Sequence, residues 1–261
     1  MSRERPPLLA VAPAAIAAAF FVLPLAGLLY RAPWSRLGRD LGAPEVRTAL
    51  RLSLVTSLTA TALALLLGVP LAWTLARHRF PGRRLLRALT TLPMVLPPVV
   101  GGVALLYAFG RRGLLGQWLV RWFGITLPFT TTGAILAETF VAMPFLVITA
   151  EAAFRTLDQR YEDAARTLGA SRWTVFRRVT LPMAGPALLA GAVLCWARAL
   201  GEFGATITFA GNYPGRTQTM PLAVYLALET SPELAVALSL VLLVVSVAVL
   251  VGLRDRWLGV A

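Results

Sequence analysis

Six stretches of this chain stay apolar for about the roughly 18–20 residues that a helix needs to cross the hydrocarbon core of a bilayer, and this repeat restricts the fold more than any other feature. They read as spans at 8–30, 52–76, 88–110, 133–154, 186–210 and 234–253. Inside a bilayer no water bonds to the backbone, so each span must satisfy its own amides as helix. With 57% hydrophobic and 14% charged residues, the chain has too little polar surface to cover a soluble body of 261 residues. The expected fold is all-α and integral to the membrane, a single transmembrane domain over residues 1–261.

The net charge of +13 is carried by arginine, with no lysine anywhere. The arginines lie in short segments between apolar runs, not along one face of an amphipathic helix. That distribution points to membrane topology and anionic lipid headgroups, and away from nucleic acid. With a cytoplasmic N-terminus, the inside segments hold fifteen arginines and the outside segments nine, so both termini are expected in the cytoplasm. The first outer segment, 31–51, carries five of those nine and dilutes the asymmetry. Arg3 and Arg5 ahead of an apolar run resemble a signal peptide. The run is longer than the usual core of roughly 7–15 residues, and it reads as an uncleaved first helix.

One cysteine, Cys195, and one histidine, His78, exclude a disulfide within the chain and a Cys/His metal cluster. Cys195 reads as a small buried residue, and His78 as a loop residue facing water or headgroups. An intramembrane enzyme would need a nucleophile with its base, paired carboxylates or metal ligands, and no such signature accompanies Glu138 or Glu202. No GxxxxGK[ST] phosphate loop occurs, so the chain is not itself an ATPase.

Two spans are irregular. The third carries Pro93, Pro97, Pro98, Gly101 and Gly102, and must kink or open because proline removes a backbone donor. The break is either a packing kink or the lining of a wet pathway. The fifth carries Arg198, Glu202, Thr206, Thr208 and Asn212. Arg198 and Glu202 are four apart and face the same way, as a structural ion pair, as pathway groups, or as both. Glu138 is placed near the outer end of the fourth span, within reach of water, as a packing residue. Glu151 is placed near the inner end, paired with a loop arginine. Segment 212–233 begins with turn formers and becomes apolar at 220–228, which fits a short helix at the outer surface.

The cytoplasmic segment 155–185 is the most informative. Asp158 can cap a helix, Glu162 and Asp163 suit its positive end, and Glu162 and Arg166 are spaced for an ion pair. Ala164 and Ala165 leave a smooth face, and Gly169 can end the helix left-handed. Ser171 can cap a second short helix bearing Trp173, Phe176 and Val179, ahead of Leu181 and Pro182.

Asp163-Ala164-Ala165, three residues, Gly169, nine residues, then Val179-Thr180-Leu181-Pro182 resembles the EAA loop of ABC-importer permeases. Asp163 stands where that pattern has Glu, and Val179 where it has Ile. The stretch from Arg198 to Thr206, with Ile207 to Asn212 after it, resembles permeases of the molybdate/sulfate type. The resemblance implies a type I importer permease fold of about six transmembrane helices. It assigns the docking of an ABC ATPase subunit, in two copies, to Glu162, Asp163, Ala164, Ala165, Gly169, Ala170, Leu181 and Pro182. It makes Pro97, Pro98, Arg198, Glu202, Thr206, Thr208 and Asn212 candidates for the translocation pathway. A second permease copy, as a homodimer or as a pair with a close paralogue, and a periplasmic or lipid-anchored oxyanion-binding protein are the further partners implied. No cofactor is implied in this chain; ATP and magnesium belong to the ATPase subunit. The cargo implied is molybdate or tungstate, with sulfate or thiosulfate as the alternative. A dianion should not meet an unpaired Glu202, so Arg198 or a backbone donor is expected to hold that carboxylate. A stand-alone secondary transporter is the remaining alternative, although no internal repeat supports it.

Overall fold

The computed structural model describes residues 8–257. Helices occupy most of them, in the order α1 (Leu8–Tyr30), α2 (Leu37–Gly42), α3 (Pro44–Arg77), α4 (Arg83–Val95), α5 (Pro98–Phe109), α6 (Gly116–Phe123), α7 (Thr131–Thr156), α8 (Gln159–Thr167), α9 (Arg172–Val175), α10 (Leu181–Leu200), α11 (Gly204–Ala210), α12 (Met220–Thr230) and α13 (Pro232–Trp257). No strand occurs among the described residues. Arg3 and Arg5, which bear on the first span and its sidedness, lie outside them.

Among the described residues, five helices or helical rods are long and apolar enough to cross a membrane: α1, α3, α7, the rod Arg172–Leu200, and α13. The third expected span differs. It is two shorter helices, α4 and α5, separated where Leu96 and Pro97 turn extended. Pro97 and Pro98 leave two consecutive residues without an N–H, so one helix stops and the next starts with proline in its first turn. The fifth expected span also differs, ending at Leu200 and resuming as α11 at Gly204.

The second short helix expected after Ser171 does not stop before the membrane. Ser171 caps it, accepting the Thr174 N–H at 3.2 Å, but α9 continues through one π turn, Phe176–Thr180, into α10. The Leu181 N–H reaches back to the Phe176 carbonyl, five residues away. Widening the turn in this way lets Pro182 sit within a continuous rod, since proline cannot supply the normal bond.

The centre of the bundle is α3, α7 and α10. Ala60, Ala64 and Ala72 of α3 meet Ala142, Leu146, Ala150 and Phe154 of α7 and Ala184, Ala192 and Cys195 of α10. Small side chains let membrane helices approach closely, which matters where lipid supplies no hydrophobic drive between them. A Cβ on Gly68 would lie 3.1 Å from Val147, and one on Gly191 3.1 Å from Leu146. A second cluster, Leu105, Ala137, Val141, Ala205 and Phe209, holds the half-helices α5 and α11 against α7. A third joins the start of α3 to α12 and α13, with α12 forming the expected short helix in segment 212–233. α1 packs little on the rest of the bundle, and from Val11 to Tyr30 its residues are exposed apart from the half-buried Leu28.

Candidate functional site

Segment 157–182 folds as a short helix hung between two long ones. Asp158 caps α8, its carboxylate accepting the Arg160 N–H at 2.9 Å. At the far end Gly169 has φ +83°, its N–H bonds to the Arg166 carbonyl at 2.9 Å, and the Ala170 N–H bonds to the Ala165 carbonyl at 3.1 Å. These two bonds are the Schellman closure, which needs a left-handed residue at that position. A Cβ on Gly169 would meet nothing within 4 Å, so glycine is required there by backbone conformation alone.

Glu162 points inward and anchors α8 to the bundle. Its Oε1 accepts from Arg77 Nη2 at 3.0 Å and from the Thr180 hydroxyl at 3.0 Å, and its Oε2 accepts from Arg166 Nη2 at 3.3 Å. Arg77 Nη2 also donates to the Leu157 carbonyl at 3.3 Å. One carboxylate thus joins α8 to the last residue of α3, while Arg77 reaches the end of α7 and Thr180 the approach to α10. Nearby, Trp73 packs edge-on against Phe176, which stacks on Trp173. The expected Glu162–Arg166 pair is present, and Asp163 is exposed and pairs with Arg166 at 2.8 Å. Leu181 is half-buried, Pro182 is exposed, and both lie at the start of α10.

With Glu162 turned inward, α8 turns an apolar stripe outward. Tyr161, Ala164 and Leu168 are all exposed, Leu168 at 89%, with Ala165 and Ala170 half-buried beside them. Tyr161, Leu168 and the exposed Trp173 are contact candidates that the motif alone did not single out. The spacing of Tyr161, Ala164, Ala165 and Leu168 at i, i+3, i+4 and i+7 was the available signal, an apolar helix face with no core to receive it. Glu151 anchors a second point at this end. It accepts from Arg87 Nη2 at 2.6 Å and pairs with Arg155 at 2.7 Å, tying α4 to α7.

Within the membrane-spanning region the two helix breaks meet. A Cβ on Gly204 would lie 2.8 Å from Pro98 Cβ, and one on Gly102 would lie 2.6 Å from Thr208 Cβ and 2.9 Å from the Ala205 carbonyl. Pro98, Gly102, Gly204 and Thr208 therefore form one tight crossing of α5 on α11. Glu202, 1% exposed, sits at the second break, held as expected: Arg198 Nη1 lies 2.6 Å from Oε2, and the Ala205 N–H donates to Oε1 at 2.8 Å. The carboxylate acts as the cap of α11.

The candidate pathway residues divide into two sets. Pro97 and Pro98 are exposed, and Arg198, Thr208 and Asn212 are half-buried. Glu202 and Thr206 instead face the interior of the protomer, because the chain leaves the helix after Leu200 and re-enters it with a new phase. Thr208 donates to the Gly204 carbonyl at 2.7 Å, and Asn212 lies just beyond α11.

Glu138 is a correction. It is 2% exposed, not reached by water from an outer end, and it accepts the Thr56 hydroxyl at 2.8 Å. α3 turns a polar strip inward here, so that Ser53 accepts the Met220 N–H at 2.7 Å and Ser57 accepts the Trp196 indole N–H at 2.9 Å. Hydroxyls buried this way cross-link helices. Cys195 is buried as expected.

Long apolar helices, two broken helices that cross at their breaks, and a short helix displayed between two rods define a multi-pass membrane protein of the transporter-permease class. The chain belongs to the family described as binding-protein-dependent transport system inner membrane component, whose profile matches residues 64–260. It is 50% identical over 244 residues to the molybdenum transport system permease protein ModB of Mycobacterium tuberculosis, covering 94% of this chain and 92% of that protein. To the protein of the same name in Escherichia coli it is 45% identical over 216 residues, covering 83% and 94%. To the sulfate transport system permease protein CysT of Escherichia coli it is 39% identical over 211 residues, covering 80% and 76%. Among solved structures, a bacterial ABC transporter involved in import of the acidic polysaccharide alginate matches with a TM-score of 0.73 at 19% identity, covering 95% of this chain and 93% of that one. The MetNI methionine ABC transporter in an inward-facing form matches at 0.54 and 18%, covering 89% and 98%. At those identities the likeness is one of fold.

Proposed function

We propose that this chain is the permease subunit of an ATP-driven importer that moves a tetrahedral oxyanion, molybdate or tungstate, into the cytoplasm of a bacterium or archaeon. The observation that carries the reading is α8, an exposed apolar stripe on a helix whose one buried charge, Glu162, is bonded to the elements around it. A surface built this way suits the docking of a rigid partner, and the family supports an ATPase subunit as that partner. The end that carries α8 is then cytoplasmic, with both termini on that side. Two permease copies enclose the pathway at their interface, two ATPase copies dock on their α8 helices, and a binding protein delivers the anion from outside. Membership in a binding-protein-dependent family sets the stand-alone transporter aside.

ATP and magnesium are bound by the ATPase, and the permease performs no covalent chemistry. Its part is a choice between two packings biased by the nucleotide state of its partner. Closure of the ATPase pair moves α8, and the Arg77–Glu162–Thr180 bonds pass that motion to α3 and the rod Arg172–Leu200. The crossing of α5 on α11 lies farther along the pathway. There Arg198, half-exposed and committed to Glu202 through one nitrogen, offers its remaining donors to an oxyanion. Molybdate is favoured over sulfate by the higher identity to the molybdenum permeases.

The test is ATP hydrolysis by the assembled complex in lipid, with binding protein loaded with molybdate, tungstate or sulfate. Stimulation is expected with molybdate and tungstate, and Leu168→Asp is expected to abolish it. Stimulation by sulfate alone would reassign the cargo, and failure of any ATPase subunit to assemble would sink the importer reading.

A further inference from the structure

A second feature lies at the α8 end of the bundle. Between the end of α3 at Arg77 and the start of α4 at Arg83, the chain turns back through an open cleft of about 490 Å³ lined by Arg79, Phe80, Gly82, Arg83, Arg84 and Arg87. Arg87 is engaged by Glu151. Arg79, Arg83 and Arg84 have no carboxylate partner among the described residues. The Nε of Arg83 is shielded from solvent and has no hydrogen-bond partner among them. Gly82 is the N-cap of α4, with φ +84° and no side-chain cap; the Arg83 N–H is taken by the Phe80 carbonyl at 3.3 Å, and the N–H groups of Arg84 and Leu85 have no acceptor among the described residues.

From the cleft, α4 carries a single apolar stripe along the membrane: Leu85, Leu89 and Leu92, all exposed, at i, i+4 and i+7. Three unpaired arginines at the head of an uncovered apolar strip match one kind of molecule, with an anionic phosphate at one end and hydrocarbon at the other. We infer that this cleft is a binding site for an anionic phospholipid, with the headgroup phosphate held by Arg79, Arg83 and Arg84 and an acyl chain along Leu85, Leu89 and Leu92. A free phosphate would leave the leucine strip unused. Arginine suits the phosphate because its planar fork bonds two oxygens at once.

The full chain is reconstituted in bilayers of phosphatidylcholine and phosphatidylglycerol, extracted into mild detergent, and its retained lipid is weighed by native mass spectrometry. The wild type is expected to retain phosphatidylglycerol above its share of the bilayer. Arg79→Gln, Arg83→Gln and Arg84→Gln together are expected to cut that enrichment by at least about thirtyfold, since each arginine in the headgroup layer contributes at least about threefold and the factors multiply. An equal change of charge at the same end, Arg172→Gln, Arg177→Gln and Arg178→Gln, is expected to leave it intact. Equal loss in both triples, or none in the cleft triple, overturns the site and leaves only net charge. Displacement of the lipid by soluble glycerophosphate at matched concentration overturns it in favour of a free-phosphate site. If the cleft triple does not fold, Arg83→Gln alone is expected to lower the enrichment about threefold, and unchanged enrichment overturns the proposal.

Discussion

Arg77 and Glu162, 85 positions apart, meet at 3.0 Å with side chains 9% and 8% exposed, joining the end of the longest helix to the short helix displayed at that end of the bundle. Neither charge has another route to neutralisation of the same quality. Removing one leaves the other buried, which costs about 3 kcal/mol or more. Glu162→Gln and Arg77→Leu are each expected to lower the unfolding temperature and to reduce ATP-driven uptake at least about tenfold. The double variant Arg77→Leu/Glu162→Gln is expected to lose clearly less stability than the two single losses summed, as read by thermal unfolding in detergent.

Gly169 separates conformation from packing. The space around its Cβ is empty, so the cost of a side chain there is that of the left-handed backbone, about 1–2 kcal/mol for most residues. Gly169→Asn is expected to retain most coupling and Gly169→Val to lose it. Hydrogen exchange on 159–170 is expected to accelerate in the valine variant alone.

At the crossing of the half-helices, sterics decide. A methyl group at Gly102 would enter the space of Thr208 and the Ala205 carbonyl, and overpacking of this kind costs about 1–3 kcal/mol. Gly102→Ala is expected to lower stability and slow uptake, whereas Gly185→Ala, which meets nothing within 4 Å, is expected to do neither. Comparable thermal stability in the two variants would remove the crossing from the account.

Arg198 holds a carboxylate that is otherwise buried. Arg198→Gln is expected to destabilise the protein by about 3 kcal/mol and to abolish uptake, because Glu202 is left enclosed without its partner. Glu202→Gln keeps the acceptor for the Ala205 N–H, so helix α11 should persist while the Arg198 guanidinium loses its counter-charge. Uptake is expected to fall in that variant with little loss of thermal stability. Unchanged uptake and unchanged assembly would remove Glu202 from the mechanism.

What the sequence determined on its own was local in origin. Hydropathy located the apolar spans because a bilayer forces each to satisfy its own backbone, whatever its neighbours. The caps at Asp158 and Ser171, the left-handed stop at Gly169 and the ion pair of Arg198 with Glu202 involve partners within four or five residues, so spacing alone revealed them. The motif around Asp163 was likewise legible in a single stretch. Tertiary structure decided everything that depends on distant partners. It chose Arg77 and Thr180 for Glu162, Thr56 for Glu138, and Pro98 for Gly204. It also broke the fifth span after Leu200, where no proline marks the place, and there Glu202 caps the resumed helix α11 through the Ala205 N–H while keeping its pair with Arg198. Thr206, which shares a face with Glu202 on an unbroken helix, is placed by that break inside the protomer. Periodicity describes a helix only while it remains one, and packing decides where it ends.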